Sequence, residues 1–218
     1  HISVRVNPNI DAHVDHHVAT GLGDSKFGVK LTDVIALYQK AAELKEIEIE
    51  GISCHIGSLV ESTAPYMSEI EVLSVFVNEL LDRGIALKHF DIGGGAGVAY
   101  KADEKTLEPS ELVKIPDIEI LIEPGRSIIA QAGVLLTRVE YLKSGLFERN
   151  FCVVDASMTE LVRPAMYGSH HEIEPVSPRS DIEAERLNIV GGVCESSDIL
   201  GSDRELAVAP GDLLAIRT

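Results

Sequence analysis

Residues 51–95 read GISCHIGSLVESTAPYMSEIEVLSVFVNELLDRGIALKHFDIGGG, and this run decides the fold. Gly51 to Cys54 is a short apolar strand. Met67 to Asp82 places Ile70, Leu73, Val77, Leu80 and Leu81 at helical spacing, and Arg83-Gly84 stops the helix. His89 to Ile92 is a second strand, and it runs into Gly93-Gly94-Gly95. Strand, helix and strand in succession make a parallel β/α unit.

Working outward, the pattern repeats. His1 to Val6 alternates as a strand, and Asn7 to Gly28 is an aperiodic loop rich in Asn, Asp, His and Gly. Thr32 to Lys45 opens on a cap candidate and carries Val34, Ile35, Leu37, Tyr38, Ala41 and Leu44 as a helix. Ile118 to Ile122 is a further strand, closed by Glu123-Pro124-Gly125-Arg126. Polar or glycine-rich residues at successive strand ends fit a β/α barrel better than a doubly wound sheet, whose ligand sits at one switch point. Four such strands are visible where a barrel has eight. Residues 1–128 are therefore expected to be the C-terminal half of a (β/α)8 barrel.

After Arg126 the texture changes. Val134–Tyr141, Phe151–Asp155, Leu187–Val190, Leu206–Val208 and Asp212–Ile216 are short β-rich stretches with no amphipathic helix between them. They predict an antiparallel β domain over residues 129–218, itself incomplete, with Glu174 to Arg186 as an exposed loop. No internal repeat or low-complexity tract interrupts the chain.

Composition narrows the function. The 218 residues are 45% hydrophobic, enough to bury a core. Nineteen Lys and Arg against 35 Asp and Glu give a net charge of −16 and a pI near 4.8, which disfavours nucleic acid and anionic membranes. No apolar run approaches the roughly 20 residues of a membrane span, and no signal peptide is read. Cys54, Cys152 and Cys194 match neither a disulfide framework nor a zinc site, so a reducing, cytoplasmic setting and no metal are expected.

Several constellations can carry chemistry. Gly93-Gly94-Gly95 after a strand can turn tightly and offer N–H groups to an anion; the alternative is a helix-capping turn. No Walker lysine or G-x-G-x-x-G spacing accompanies it. Glu123 and Arg126 are either a structural ion pair or a carboxylate for a cationic ring nitrogen beside a guanidinium for an anion. His55, in Cys54-His55-Ile56-Gly57-Ser58, is a packed polar residue or a site residue, with no second ligand at metal spacing. His16-His17 and His170-His171 read as loop residues. Cys54 and Cys152 read as inert core thiols, whereas Cys194, in C-E-S-S-D, has polar flanks that suit reactivity. Arg163 and Tyr167, in L-V-R-P-A-M-Y, suit a carboxylate clamp.

Taken in order, R-V-N-P-N-I-D, T-G-L-G-D-S-K-F-G-V, C-H-I-G-S, D-I-G-G-G, I-E-P-G-R-S, V-D-A-S-M-T-E-L-V-R-P-A-M-Y and V-G-G-V-C-E-S-S-D resemble the diaminopimelate decarboxylases. These belong to the alanine-racemase-like, fold type III group of pyridoxal-phosphate enzymes. The likeness runs from residue 3 to residue 217. Ornithine and arginine decarboxylases are similar at H-x-G-S, G-G-G and E-P-G-R but differ in C-E-S-S-D and the M-T-E-L-V-R-P-A-M-Y block. The resemblance implies decarboxylation of meso-2,6-diaminopimelate to L-lysine with pyridoxal 5′-phosphate as cofactor. His55 would stack on the pyridoxal ring. Ser58 and Gly93, Gly94 and Gly95 would donate to the phosphate, and Glu123 would pair with the ring nitrogen. Gly125 and Arg126 would border the cofactor, with Arg126 reaching toward substrate. Arg163 and Tyr167 would hold a substrate carboxylate and Glu195 the distal ammonium. Cys194 would be the proton donor, acting in the neighbouring subunit of a homodimer with shared sites. The alternatives are a decarboxylase of another basic amino acid or of carboxynorspermidine, and a non-catalytic barrel homologue serving as a dimer partner.

Three departures from the family pattern set a further expectation. None of the lysines, Lys26 included, stands in the Y-A-x-K-A context of the lysine that carries the cofactor. The tyrosine that the family places after L-L-A-I-R-T is not reached before Thr218. The crossover between Gly95 and Glu123 offers only Ser110 to Ile115 for a helix. The chain is therefore expected to be a portion of the enzyme that cannot turn over alone.

Overall fold

The computed structural model describes residues 1–101, 104, 107, 118–147 and 149–218. Ser110 to Ile115, the expected crossover helix, lies outside the described residues. The chain divides into two compact units, His1–Val98 with Lys105–Ile128, and Ala99–Glu104 with Ile129–Thr218.

The first unit is a parallel sheet, ordered β2-β1-β3-β4-β5, built from β1 (Ile2–Asn7), β2 (Val29–Lys30), β3 (Ile49–Ser53), β4 (His89–Asp91) and β5 (Glu119–Leu121). Register explains its two faces. Val4, Ile52, Phe90 and Ile120 align across neighbouring strands. Ile52 and Phe90 sit in one buried core with Tyr38 of α1 (Val34–Ala42) and with Tyr66, Leu73 and Leu80 of α2 (Ala64–Asp82). One residue further along, Arg5, Ser53, Asp91 and Leu121 align, and because side chains alternate they occupy the opposite face. Gly51 belongs to this second face, where a Cβ would overlap the ring of His89. The polar row continues past the strand ends to His55, Gly93 and Glu123, each two residues beyond its strand's last register partner.

Several predicted boundaries shift. The loop Asn7 to Gly28 is followed by the two-residue strand β2, too short to show alternation. Thr32 is not the cap of α1: Leu31–Asp33 is a 3-10 turn, and the Thr32 hydroxyl bonds Asp33 Oδ1. Leu81 and Leu44, counted as apolar helix positions, are 59% and 45% exposed. The strand before Glu123 is half-buried, and Glu123 is itself exposed, so its carboxylate does not bear the desolvation cost expected of a buried one.

The second unit is a six-stranded sheet, ordered β10-β9-β7-β6-β11-β8, from β6 (Leu135–Ser144), β7 (Asn150–Val154), β8 (Ile173–Pro175), β9 (Glu185–Val190), β10 (Ile199–Leu206) and β11 (Leu213–Ile216). It encloses Cys152, Leu187, Ile189, Leu200 and Leu214, all fully buried. It is not wholly antiparallel: β7 and β9 pair in parallel. The long connection between them, which holds α4 (Arg163–Tyr167) and β8, permits that direction. Glu174 to Arg186 is therefore not one loop, since its ends belong to β8 and β9. Of the expected strand Leu206–Val208 only Leu206 is in a strand, as the last residue of the longer β10; Ala207 and Val208 lie beyond it. Arg126–Ile129 forms a short helix, α3. No helix among the described residues is long and apolar enough to cross a membrane.

Candidate functional site

The carboxyl ends of β3, β4 and β5 meet at a cavity of about 350 Å³ lined by His55, Ser58, Gly94, Gly95, Glu123, Gly125 and Arg126, with Leu59 and Ala96. That volume lies at the small end of ligand sites, ~300–1,000 Å³. The structure thus brings together seven of the eight expected cofactor residues; Gly93 is not among the lining residues.

The glycine run is shaped by its neighbours. Gly93 and Gly95 have φ of +71° and +94°, a region that L side chains rarely enter. A Cβ on Gly94 would overlap the Glu123 carbonyl, and one on Gly95 the Gly57 carbonyl. The Gly93 N–H donates to Asp91 Oδ1 at 2.8 Å and the Gly94 N–H to His55 Nδ1 at 3.1 Å. Two of the three glycine N–H groups expected to reach the phosphate are therefore engaged within the protein. The Gly95 N–H has no acceptor among the described residues, which leaves it for a ligand.

His55 is half-buried, and burial, then the nearby Arg5 guanidinium, lowers its pKa, against the opposing charge of Asp91. The ring is neutral at pH 7. Because Nδ1 accepts from Gly94, the ring proton resides on Nε2. Thr20 Oγ1 donates to the His55 carbonyl at 2.8 Å, fixing the strand end.

In the second unit, Arg163 and Tyr167 share the single turn of α4. The Arg163 guanidinium lies 4.4 Å from the Tyr100 ring centre and its Nη1 is 3.0 Å from His171 Nε2. His170 and His171 lie in the loop between α4 and β8, as expected, but their side chains are bonded to the surrounding structure. His171 is buried, and Arg204 Nη2 donates to its carbonyl at 2.8 Å. Cys194 and Glu195 are exposed on the loop after β9. That loop is anchored by Asp198, 3% exposed, whose carboxylate accepts the Met158 and Val193 N–H groups at 2.6 and 2.8 Å. Asp198 closes the C-E-S-S-D block, whose residue types alone give it no role separate from the rest. Cys54 and Cys152 are buried, and burial raises both thiols, Cys152 to about 11. His16 is exposed and His17 bonds Asp15 at 2.9 Å.

His1, Glu48 and Glu50 bring three metal-type ligand atoms within 4.8 Å. Lys88 Nζ already sits 2.7 and 2.9 Å from the two carboxylates, so a cation of the protein's own balances them.

Residues 1–130 match the family model described as pyridoxal-dependent decarboxylase, pyridoxal binding domain. The chain belongs to this family. The diaminopimelate decarboxylase of Pseudomonas aeruginosa is 43% identical over 223 residues, covering 100% of this chain and 53% of its own length. That of Aquifex aeolicus is 39% identical, over 99% of this chain and 53% of its own. The crystal structure of diaminopimelate decarboxylase from Helicobacter pylori complexed with L-lysine superposes with a TM-score of 0.87 at 35% identity, covering 99% of this chain and 55% of that one. The chain spans about half the length of the relatives it matches, and its parallel sheet is part of the β/α barrel those enzymes share.

The cavity fits the group that the family name implies. Its glycine cradle is closed to side chains, its free N–H and Ser58 are anion donors beside the Arg126 guanidinium, and a neutral imidazole and a carboxylate complete the set. No lysine among the described residues lines it.

Proposed function

We propose that this protein serves the pyridoxal-phosphate-dependent decarboxylation of meso-2,6-diaminopimelate to L-lysine and carbon dioxide. The observation that carries the reading is the convergence of His55, Ser58, Gly95, Glu123 and Arg126 on one cavity, in a chain similar along its whole length to diaminopimelate decarboxylases. Pyridoxal phosphate, when bound, supplies a cationic ring that accepts the electron pair left as carbon dioxide departs.

The chain's own residues serve that chemistry in distinct ways. Glu123 is an exposed carboxylate that would accept a hydrogen bond from the protonated ring nitrogen and so keep that proton on the ring. His55 offers an uncharged ring face, its Nδ1 already committed to Gly94. Ser58 and the Gly95 N–H bind the phosphate, and Arg126 balances its charge. Arg163 and Tyr167 hold a substrate carboxylate, and Glu195 pairs with the distal ammonium. Once the neighbouring subunit covers it, a carboxylate left without that ammonium would be costly, so Glu195 discriminates against analogues that lack it. Cys194 donates the proton to the carbon that has lost carbon dioxide, from the neighbouring subunit of a homodimer. The exposure of both Cys194 and Glu195 on one anchored loop supports action in trans. Three unpaired thiols suit the cytoplasm.

The test assays the complete gene product for carbon dioxide release from meso-diaminopimelate, L-ornithine and L-arginine. Turnover of diaminopimelate alone is expected. Preference for ornithine or arginine, or no turnover at all, overturns the reading. The 218-residue chain assayed alongside is expected to be inactive, since no described lysine reaches the cavity.

A further inference from the structure

Tyr66 lies on the first turn of α2 with 1% exposure, and its hydroxyl donates a 2.9 Å hydrogen bond to the Gly94 carbonyl. It does not line the cavity; it reaches the glycine run from the core. Burial holds the phenol protonated well above its ordinary range, so it remains a donor at any working pH.

The consequence follows from peptide geometry. The chain has no cis peptide bond among the described residues, and in a planar trans peptide the C=O and the following N–H point in opposite directions. A donor that pins the Gly94 carbonyl toward the core therefore turns the Gly95 N–H outward, to the side where Ser58, Gly95 and Arg126 line the cavity. The flanking peptides are held independently. Gly93 O accepts the Glu123 N–H at 2.8 Å, the Gly94 N–H donates to His55, and Gly95 O accepts the Val60 N–H at 2.8 Å. Only the Gly94–Gly95 peptide depends on Tyr66, and glycine on both sides gives it little steric resistance to rotation.

We infer that Tyr66 is a positioning residue for anion binding, its hydroxyl fixing the peptide plane whose N–H receives the cofactor phosphate. This rests on the phosphate assignment made under the proposed function. Tyr66→Phe removes one oxygen and keeps the ring that packs in the core.

The experiment measures binding of pyridoxal 5′-phosphate, of pyridoxal lacking the phosphate, and of inorganic phosphate, to the wild-type protein and to Tyr66→Phe. Wild-type titration with inorganic phosphate is also followed at the Gly93, Gly94 and Gly95 amides by nuclear magnetic resonance. The variant is expected to lose about tenfold in affinity for the two phosphate-bearing ligands, the worth of one well-placed hydrogen bond, with pyridoxal binding unchanged. In the wild type the Gly95 amide is expected to shift most. Equal losses for pyridoxal and its phosphate, no loss for either, or a silent Gly95 amide overturns the inference. A responsive Gly95 amide in a protein that does not favour pyridoxal phosphate over pyridoxal overturns the cofactor reading, and a loss of inorganic-phosphate affinity in Tyr66→Phe then upholds the positioning role. If Tyr66→Phe does not fold, the order of the three wild-type amide shifts decides.

Discussion

His171 Nε2 accepts a hydrogen bond from Arg163 Nη1 at 3.0 Å, while its Nδ1 donates to the Arg217 carbonyl at 2.8 Å. The ring therefore links the helix of the expected carboxylate clamp to the end of β11, and it does so only while neutral. Its pKa is lowered, chiefly by burial and further by Arg163, His170 and Arg204, against the Arg217 carbonyl, which favours the charged ring. As pH falls, the unfolded chain takes up a proton near the ordinary 6.5 before the folded ring does. The contribution of His171 is complete above that value and is lost as pH falls through the lower folded pKa. His171→Gln is expected to flatten this acid-side slope and to cost about 1–3 kcal/mol at pH 7.5. Denaturation midpoints measured between pH 7.5 and 5 check it; parallel slopes for wild type and variant would exclude the assignment.

Glu69 produces the opposite slope. Its side chain is fully buried on α2, and neither carboxyl oxygen has a hydrogen-bond partner. Burial, reinforced by the Asp91 charge and opposed by the Cys54 thiol, raises its pKa from 4.5 to about 8. The folded state holds a proton that the unfolded state releases, so this stability is complete below about 4.5 and is lost as pH rises through 8. At neutral pH the cost is roughly 3 kcal/mol. Glu69→Gln is expected to recover about that much at pH 7 and to remove the alkaline decline. A variant less stable than wild type at pH 8 would show that the carboxylate is paired after all.

The thiols separate cleanly. Cys194 is exposed, whereas Cys54 and Cys152 are buried with raised pKa values, and only an accessible thiolate reacts. A disulfide reagent at pH 8 is expected to modify one thiol in the native protein and three after denaturation. Rapid native labelling of more than one would contradict the burial.

Asp198 should govern the loop that carries Cys194. Replacing it with Ala strands the Met158 and Val193 N–H groups, at a cost of about 2 kcal/mol. Amide exchange is expected to accelerate at Val193 and Met158 while strands β6 and β7 stay protected. Uniform acceleration across the sheet would mean that Asp198 supports the whole unit and not the loop.

Much of the first unit was legible because the strand ends carry rigid motifs. C-H-I-G-S, D-I-G-G-G and E-P-G-R announce themselves by residue type, and the chain brings them to one cavity. Pairing direction was not legible. Alternation tells which face a residue occupies and not which way its neighbour runs, so it gives no sign that β7 and β9 pair in parallel. Glu69 and Tyr66 were hidden for a related reason. On a helix a Glu reads as solvent-facing, and Tyr66 precedes the helix expected from Met67, so only the packed structure shows a buried carboxyl and a hydroxyl aimed at a glycine carbonyl.

The glycines of the cavity should respond unequally to a single methyl. At Gly95 a Cβ meets the Gly57 carbonyl, and φ of +94° is itself unfavourable for alanine. At Gly94 the Glu123 carbonyl occupies the position. Both obstacles are backbone and cannot rotate away, so Gly95→Ala and Gly94→Ala are expected to destabilise the protein by about 3 kcal/mol or more and to abolish pyridoxal phosphate binding. Gly125 lines the same cavity, but a Cβ there meets nothing within 4 Å. Gly125→Ala is therefore expected to leave the melting temperature unchanged within about a degree, since surface substitutions rarely exceed 0.5 kcal/mol. Its effect on binding then reports the ligand alone. If pyridoxal phosphate occupies the space in front of Gly125, the methyl group weakens binding without touching stability. Full affinity in Gly125→Ala would place the cofactor away from Gly125 and against the Gly94–Gly95 side of the cavity.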